Sequence, residues 1–143
     1  MNEPLSLKYR PRTFSDIVGQ KASRAVLAKI VESGDLPPSM IFAGVRGTGK
    51  TSAARIVAKG INCEDRDGFE PCGVCTNCRA IDEETAPFVV EIDAASHGSA
   101  EAMRQLVEDA RYAAGTQWKV YVLDEVHSVS STGFQVLLKT LEE

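Results

Sequence analysis

The sequence predicts an α/β fold, a parallel sheet with flanking helices into which a small four-cysteine knuckle is inserted. Three observations carry this reading. Short apolar, β-branched runs alternate with segments of helical period, the pattern of strands joined by crossover helices. Gly44-Val-Arg-Gly-Thr-Gly-Lys-Thr51 has the spacing G-x-x-x-x-G-K-T of a phosphate-binding loop. All four cysteines, Cys63, Cys72, Cys75 and Cys78, lie in one stretch between helix-forming segments.

The elements follow in chain order. Lys21 to Glu32 is an amphipathic helix, ended by Ser33-Gly34. Ser39-Met-Ile-Phe-Ala43 reads as a strand leading into the glycine loop, and Thr51 to Ile61 as the Ala-rich helix leading out. Pro87–Asp93 and Lys119–Asp124 are two further strands, β-branched and aromatic as buried parallel strands are. Between them, Ser99 to Ala114 is predicted helical, with Ser99 as N-cap, Glu101 in the first turn, Gly115 past the end, and Met103, Leu106, Val107 and Ala110 at helical spacing. A last helix begins near Ser131, with Phe134, Leu137, Leu138 and Leu141 on one face.

A chain of 143 residues, 43% hydrophobic and 25% charged, is long enough for one domain with its own core. No run of about 18 apolar residues is present, and Met1-Asn-Glu-Pro4 lacks the layout of a signal peptide. The expected location is cytoplasmic, with no membrane partner. A net charge of −4 argues against generic polyanion binding, so nucleic-acid contact would need a local basic patch or a partner subunit.

The loop residues are dictated by phosphate chemistry. Gly44, Gly47 and Gly49 allow the sharp turns that aim successive N–H groups into one concavity. Lys50 adds a mobile charge for the β- and γ-phosphates, and Thr51 a hydroxyl for Mg²⁺. With Thr48 and Ser52, these are the candidate nucleotide-binding residues. The helix that follows favours anions at its N-terminus.

The array C-x8-C-x2-C-x2-C suits a tetrahedral Zn²⁺ bound by four thiolates. Such a site is closed and therefore structural. Asp65, Asp67, Gly68, Pro71 and Gly73 supply turns, and few apolar side chains are available to hold the segment otherwise. A redox pair and an iron–sulfur cluster are the alternatives with related chemistry.

The strand from Lys119 ends in Asp124-Glu125, followed by Val126-His127. With a phosphate loop upstream, Asp124 becomes the candidate Mg²⁺ carboxylate and Glu125 the candidate general base. His127 either senses the γ-phosphate or packs.

Leu7-Lys-Tyr-Arg-Pro-Arg-Thr-Phe-Ser-Asp-Ile-Val-Gly-Gln20 resembles the N-terminal box of AAA+ clamp loaders. Together with Gly44–Thr51, the four cysteines, Glu91–Ser96, Asp124–His127 and Leu137–Glu143, it makes the chain similar, almost end to end, to the gamma/tau family of bacterial DNA polymerase III. The resemblance implies a Mg²⁺-dependent ATPase subunit of a clamp loader, working in a hetero-pentamer with other loader subunits to place a sliding clamp on primer–template DNA. It also implies that Tyr9, Arg10 and Val18 border the adenine and ribose. The Lys8–Arg12 stretch taken by spacing alone would be a solvated basic arm.

By the same resemblance, residues 1–143 are the N-terminal part of an AAA+ ATPase domain with residues 63–78 as its zinc insertion. The lid and collar domains would lie outside them, and so would the strand that fits between those at Met40 and Val120. An isolated piece of this length is therefore expected to have an incomplete sheet, marginal stability and no activity. Two departures stand out. Ser96-His97-Gly98-Ser99 occupies a place where clamp loaders carry an arginine facing DNA, and Gln135 replaces the usual Asn. A competing function is a zinc-stabilised replisome scaffold with little ATPase activity. A helicase reading of Asp124-Glu-Val-His127 is disfavoured by the N-terminal box and the knuckle, and no polymerase site is present in the pattern.

Overall fold

The computed structural model describes residues 4–112 and 115–143. It has mixed α/β architecture, divided into two compact units. The first unit is organised by helix α3 (Lys50–Asn62), in which Ile56, Val57, Ala58, Lys59 and Gly60 are consecutive and all buried. Burial at five neighbouring positions means that the helix is covered on every side. Helix α2 (Lys21–Ser33) supplies Leu27, Ala28 and Val31 to one flank. Gly60 sits under Val31, where a Cβ would come within 2.6 Å of Val31 Cγ1, so the small residue sets the helix spacing. Phe14, fully buried, completes this core and meets Phe69 edge-on with ring centroids 6.1 Å apart.

Shorter elements surround these helices. Helix α1 spans Leu5–Lys8, and a 3₁₀ turn covers Phe14–Asp16. That turn begins with a capping box: Asp16 donates its N–H to Thr13, and its carboxylate accepts the N–H groups of Thr13 and Arg12. The two hydrogen bonds, led by that from Arg12, hold the Asp16 carboxyl below its ordinary pKa. Helix α4 (Thr76–Asp82) follows the cysteines.

The second unit contains the sheet. Strands β1 (Val89–Asp93) and β2 (Val120–Asp124) pair in parallel, with Asp93 beside Asp124 at their carboxyl ends. Between them run α5 (Ala94–His97) and α6 (Ala100–Ala110), and α7 (Ser131–Glu142) follows β2. Ser99 caps α6 by accepting the Ala102 N–H, as its place in the sequence predicts. The helix ends at Ala110, short of its predicted extent to Ala114: Arg111 is its C-cap and Tyr112 is non-helical, while residues 113–114 lie outside the described residues.

Two expectations change. Residues 39–43 are not a strand: no described strand ladders with them, and a strand is defined by its pairing. The α7 face is also rotated from its predicted stripe. Gly133 comes within 3.0 Å, at its would-be Cβ, of Met103 on α6, and this close approach turns Val136 and Leu137 inward while Phe134, Leu138 and Leu141 remain exposed.

Glycines at close approaches give a stability test for each unit. A Cβ at Gly98 would meet the backbone oxygens of Ala94 and Ser128, the latter at 2.7 Å, and backbone cannot step aside as the Val31 side chain can. Gly98→Ala should therefore cost more than Gly60→Ala, which should lose about 1–3 kcal/mol through overpacking. Urea unfolding followed by circular dichroism measures both, and Val31→Ala should recover part of the Gly60→Ala loss but none of the Gly98→Ala loss.

Candidate functional site

The cysteine segment brings its four sulfurs within 4.8 Å of one another. Cys63 terminates α3, Cys75 is the N-cap of α4 and Cys78 lies within α4, so two helices fix three of the four sulfurs. The Cys63 sulfur accepts the Cys72 N–H at 3.2 Å, and the Cys72 sulfur accepts those of Val74 at 3.4 Å and Cys75 at 3.2 Å. The Cys75 sulfur accepts the N–H of Cys78 at 3.4 Å. Gly68 and Gly73, both at positive φ, form the turns that allow this folding back.

The backbone donors stabilise thiolate unevenly. Those of Val74 and Cys75 draw Cys72 down to about 7, whereas burial pushes Cys63 and Cys78 up. Four convergent sulfurs with N–H donors already directed at three of them fit a tetrahedral metal such as Zn²⁺, whose charge would offset the burial of the remaining thiolates.

The glycine loop lies in the same unit. Gly47 and Gly49 have φ of 83° and 85°, left-handed values that disfavour any side chain. Thr48 Oγ1 donates to the Val45 carbonyl at 2.8 Å. Lys50 Nζ curls into the loop and donates to the carbonyls of Gly44 and Val45, both at 2.9 Å. Gly49 is the N-cap of α3 and provides no side-chain acceptor there, so the first turn of a 13-residue helix presents N–H groups and the positive end of its dipole. Thr51 and Ser52 sit half-buried in that turn.

Asp124 and Glu125 belong to the second unit. Asp124 ends β2 and accepts the Glu125 N–H at 3.1 Å. Glu125 is itself left-handed, with φ of 54°, a conformation uncommon for a residue with a side chain. Its carboxylate lies 3.4 Å from Nδ1 of exposed His127. His127 thus neighbours Glu125, a role its position in the sequence left open. Asp93 is positioned like Asp124 but accepts the Ala95 N–H and the Ser96 hydroxyl at the start of α5. His97 is exposed at the end of α5.

The three box residues lie in the first unit and are mostly solvent-facing. Tyr9 is 71% and Val18 94% exposed. Arg10 approaches Glu84 at 3.7 Å, a carboxylate that also meets Arg55 at 2.8 Å.

Two other residues escape sequence reasoning. Glu70 accepts the N–H groups of Phe14 at 2.8 Å and Ser15 at 3.3 Å, and Lys59 donates to the Arg12 carbonyl and to Asp82. Neither signal was available from pattern, because an isolated Glu in a turn and a Lys in an amphipathic helix both read as solvated.

Residues 19–143 match the family model described as DNA polymerase III, delta subunit. The chain is 47% identical over 140 residues, 97% of its length, to the DNA polymerase III subunit tau of Escherichia coli and equally to that of Salmonella typhimurium. It is 42% identical over 140 residues, 95% of its length, to DNA polymerase III subunit gamma/tau of Mycobacterium tuberculosis. It spans 22% of the length of the first two relatives and 24% of the third. No helix among the described residues is long and apolar enough to cross a membrane.

Cobalt(II) titration tests the cysteine cluster. Saturation by a single ion with the absorption of tetrahedral thiolate coordination is expected, and Cys75→Ser should abolish that spectrum. Because protons compete for the same sulfurs, affinity should fall as pH falls. Chelation should lower the urea midpoint, and an unchanged midpoint would show that the segment does not depend on metal.

Proposed function

We propose that this chain, which belongs to the DNA polymerase III delta-subunit family and is similar to tau and gamma/tau subunits over nearly its whole length, carries the ATP site of a clamp-loader motor subunit. The observation that most supports this reading is the loop at residues 44–51. Two left-handed glycines, a lysine ammonium directed into the loop and a helix N-terminus without a side-chain cap are assembled there from adjacent residues. That is the donor set of a phosphate-binding loop.

Each residue then has a chemical task. Lys50, held by two neutral carbonyls, can exchange those contacts for ion pairs with anionic β- and γ-phosphate oxygens. Gly47 and Gly49 keep the backbone in the one conformation that turns its N–H groups toward an anion. The Thr51 hydroxyl and the Asp124 carboxylate are the proposed Mg²⁺ ligands, by their places in the sequence pattern. When bound, ATP and Mg²⁺ supply the phosphoanhydride to be cleaved and the charge that neutralises its oxygens.

Glu125 is the proposed general base, and His127, in contact with its carboxylate, restricts where that group points. Tyr9, Arg10 and Val18 are proposed to border the base and ribose. The four cysteines are proposed to hold a structural Zn²⁺. The whole protein would use hydrolysis to load a sliding clamp on primer–template DNA, with other loader subunits as partners.

The test is a pair of variants in the complete protein, assembled with its loader partners. Lys50→Ala should remove nucleotide binding. Glu125→Gln should leave binding intact and slow hydrolysis by about 10²–10⁴, the usual worth of a positioned base. Normal turnover in Glu125→Gln would reject that residue as the base. Undiminished binding by Lys50→Ala would reject the loop as the nucleotide site.

A further inference from the structure

We propose that Glu70 is a positioning residue for the nucleotide site: from inside the cysteine segment, its carboxylate fixes the backbone of the N-terminal box. The inference rests on the reading of that box as the border of the base and ribose. Its structural basis stands apart from that reading.

The box has little of its own to hold it in place. Of residues 5–20, only Phe14 is buried. Its flanks carry the highly exposed Tyr9 and Val18. Yet the middle of the box is attached at four points. Glu70 accepts the N–H of Phe14 at 2.8 Å and that of Ser15 at 3.3 Å, across 56 and 55 residues of sequence. Phe69, the preceding residue, meets the Phe14 ring. The Arg12 carbonyl accepts from Lys59 at 2.8 Å, and Lys59 is paired with Asp82 of α4.

Glu70 is aimed by its own local structure. Asp67 and Glu70 form an antiparallel bridge, exchanging backbone hydrogen bonds of 3.2 and 3.0 Å around Gly68, which has φ of 61°. This small hairpin is closed by Cys63 on one side and Cys72 on the other, two members of the sulfur cluster. Asp82 is in turn on the helix that Cys75 caps and Cys78 occupies. Both anchors of the box are therefore held by the segment that the cysteines close. The knuckle has a second task besides closing on a metal: it orients the residues proposed to meet the base. A carboxylate accepting two adjacent N–H groups gives a fixed direction as well as attraction.

Hydrogen exchange and steady-state kinetics on the complete protein in its loader assembly provide the test. Glu70→Ala should lower protection of the Phe14 and Ser15 amides and raise KM for ATP by roughly three- to tenfold, the worth of about one ordinary hydrogen bond. It should leave kcat unchanged, because Glu70 touches no reacting atom. Glu70→Gln keeps an acceptor oxygen for the shorter bond. It should restore Phe14 protection and most of the affinity while Ser15 stays deprotected.

Unchanged amide protection in both variants, or a fall in kcat without a change in KM, would overturn the proposal. If Glu70→Ala fails to fold, the Gln variant decides: a Ser15 amide as protected as in the parent rejects the role. Lys50→Ala is run alongside. Retained nucleotide binding in that variant would reject the ATP reading, while the amide protection would still judge Glu70.

Discussion

The ammonium of Lys59 holds the first unit together. It is 1% exposed, and it donates to the Arg12 carbonyl at 2.8 Å and to the two Asp82 carboxylate oxygens at 2.9 and 3.1 Å. Its three donors meet three acceptors, as a buried ammonium requires. A pair of this kind regains by attraction about what desolvation costs it, so its effect is on geometry more than on net stability. An apolar side chain could fill the same volume, but it could not hold a backbone carbonyl from one segment and a carboxylate from another. With Lys59 in place, α3 has the N-terminal box on one side and α4 on another, and the loop at its N-terminus and Cys63 at its C-terminus are fixed to one rod.

That rod places the glycine loop and the cysteine cluster at opposite ends of the same helix. Asn77 extends the arrangement by donating to the Asn62 carbonyl, a C-terminal group of α3, at 2.8 Å. Polar groups placed in this way leave no buried side-chain donor or acceptor without a partner among the described residues. The apolar core of this unit is small, and these hydrogen bonds specify how its pieces are arranged.

Features that depend on near neighbours were legible in the sequence. The Ser99 cap, the left-handed Gly34 after α2, the glycine loop and the four cysteines each arise within a few residues, so spacing alone locates them. What spacing could not give was contact between distant segments. Glu70 and Phe14 are 56 positions apart, and Lys59 and Arg12 are 47 apart. Glu70 and Lys59, which make these contacts, belong to types that are exposed by default. Residues 39–43 failed for a related reason, since an apolar run becomes a strand only when another strand pairs with it. On α7 the pattern correctly gave a helix, but the packed face was selected by Gly133 against Met103 rather than by the leucine stripe.

The two strand ends show how the same residue acquires different surroundings. Asp93 and Asp124 are register partners at the carboxyl edge of a parallel pair, where open α/β sheets present their ligand-binding residues. After Asp93 the chain turns at once into α5, and both carboxylate oxygens are engaged by Ala95 and Ser96. After Asp124 the next residue is forced left-handed, and Asp124 accepts its N–H. A left-handed Glu carries a conformational cost of about 1 kcal/mol or more. A glycine would relieve that cost but would remove the carboxylate now facing His127. Gln20 and Glu84 share this left-handed conformation, so the backbone at Glu125 sets where its carboxylate stands without by itself marking it for chemistry. The difference between the two strand ends therefore lies in the backbone that follows each strand, not in the aspartates themselves.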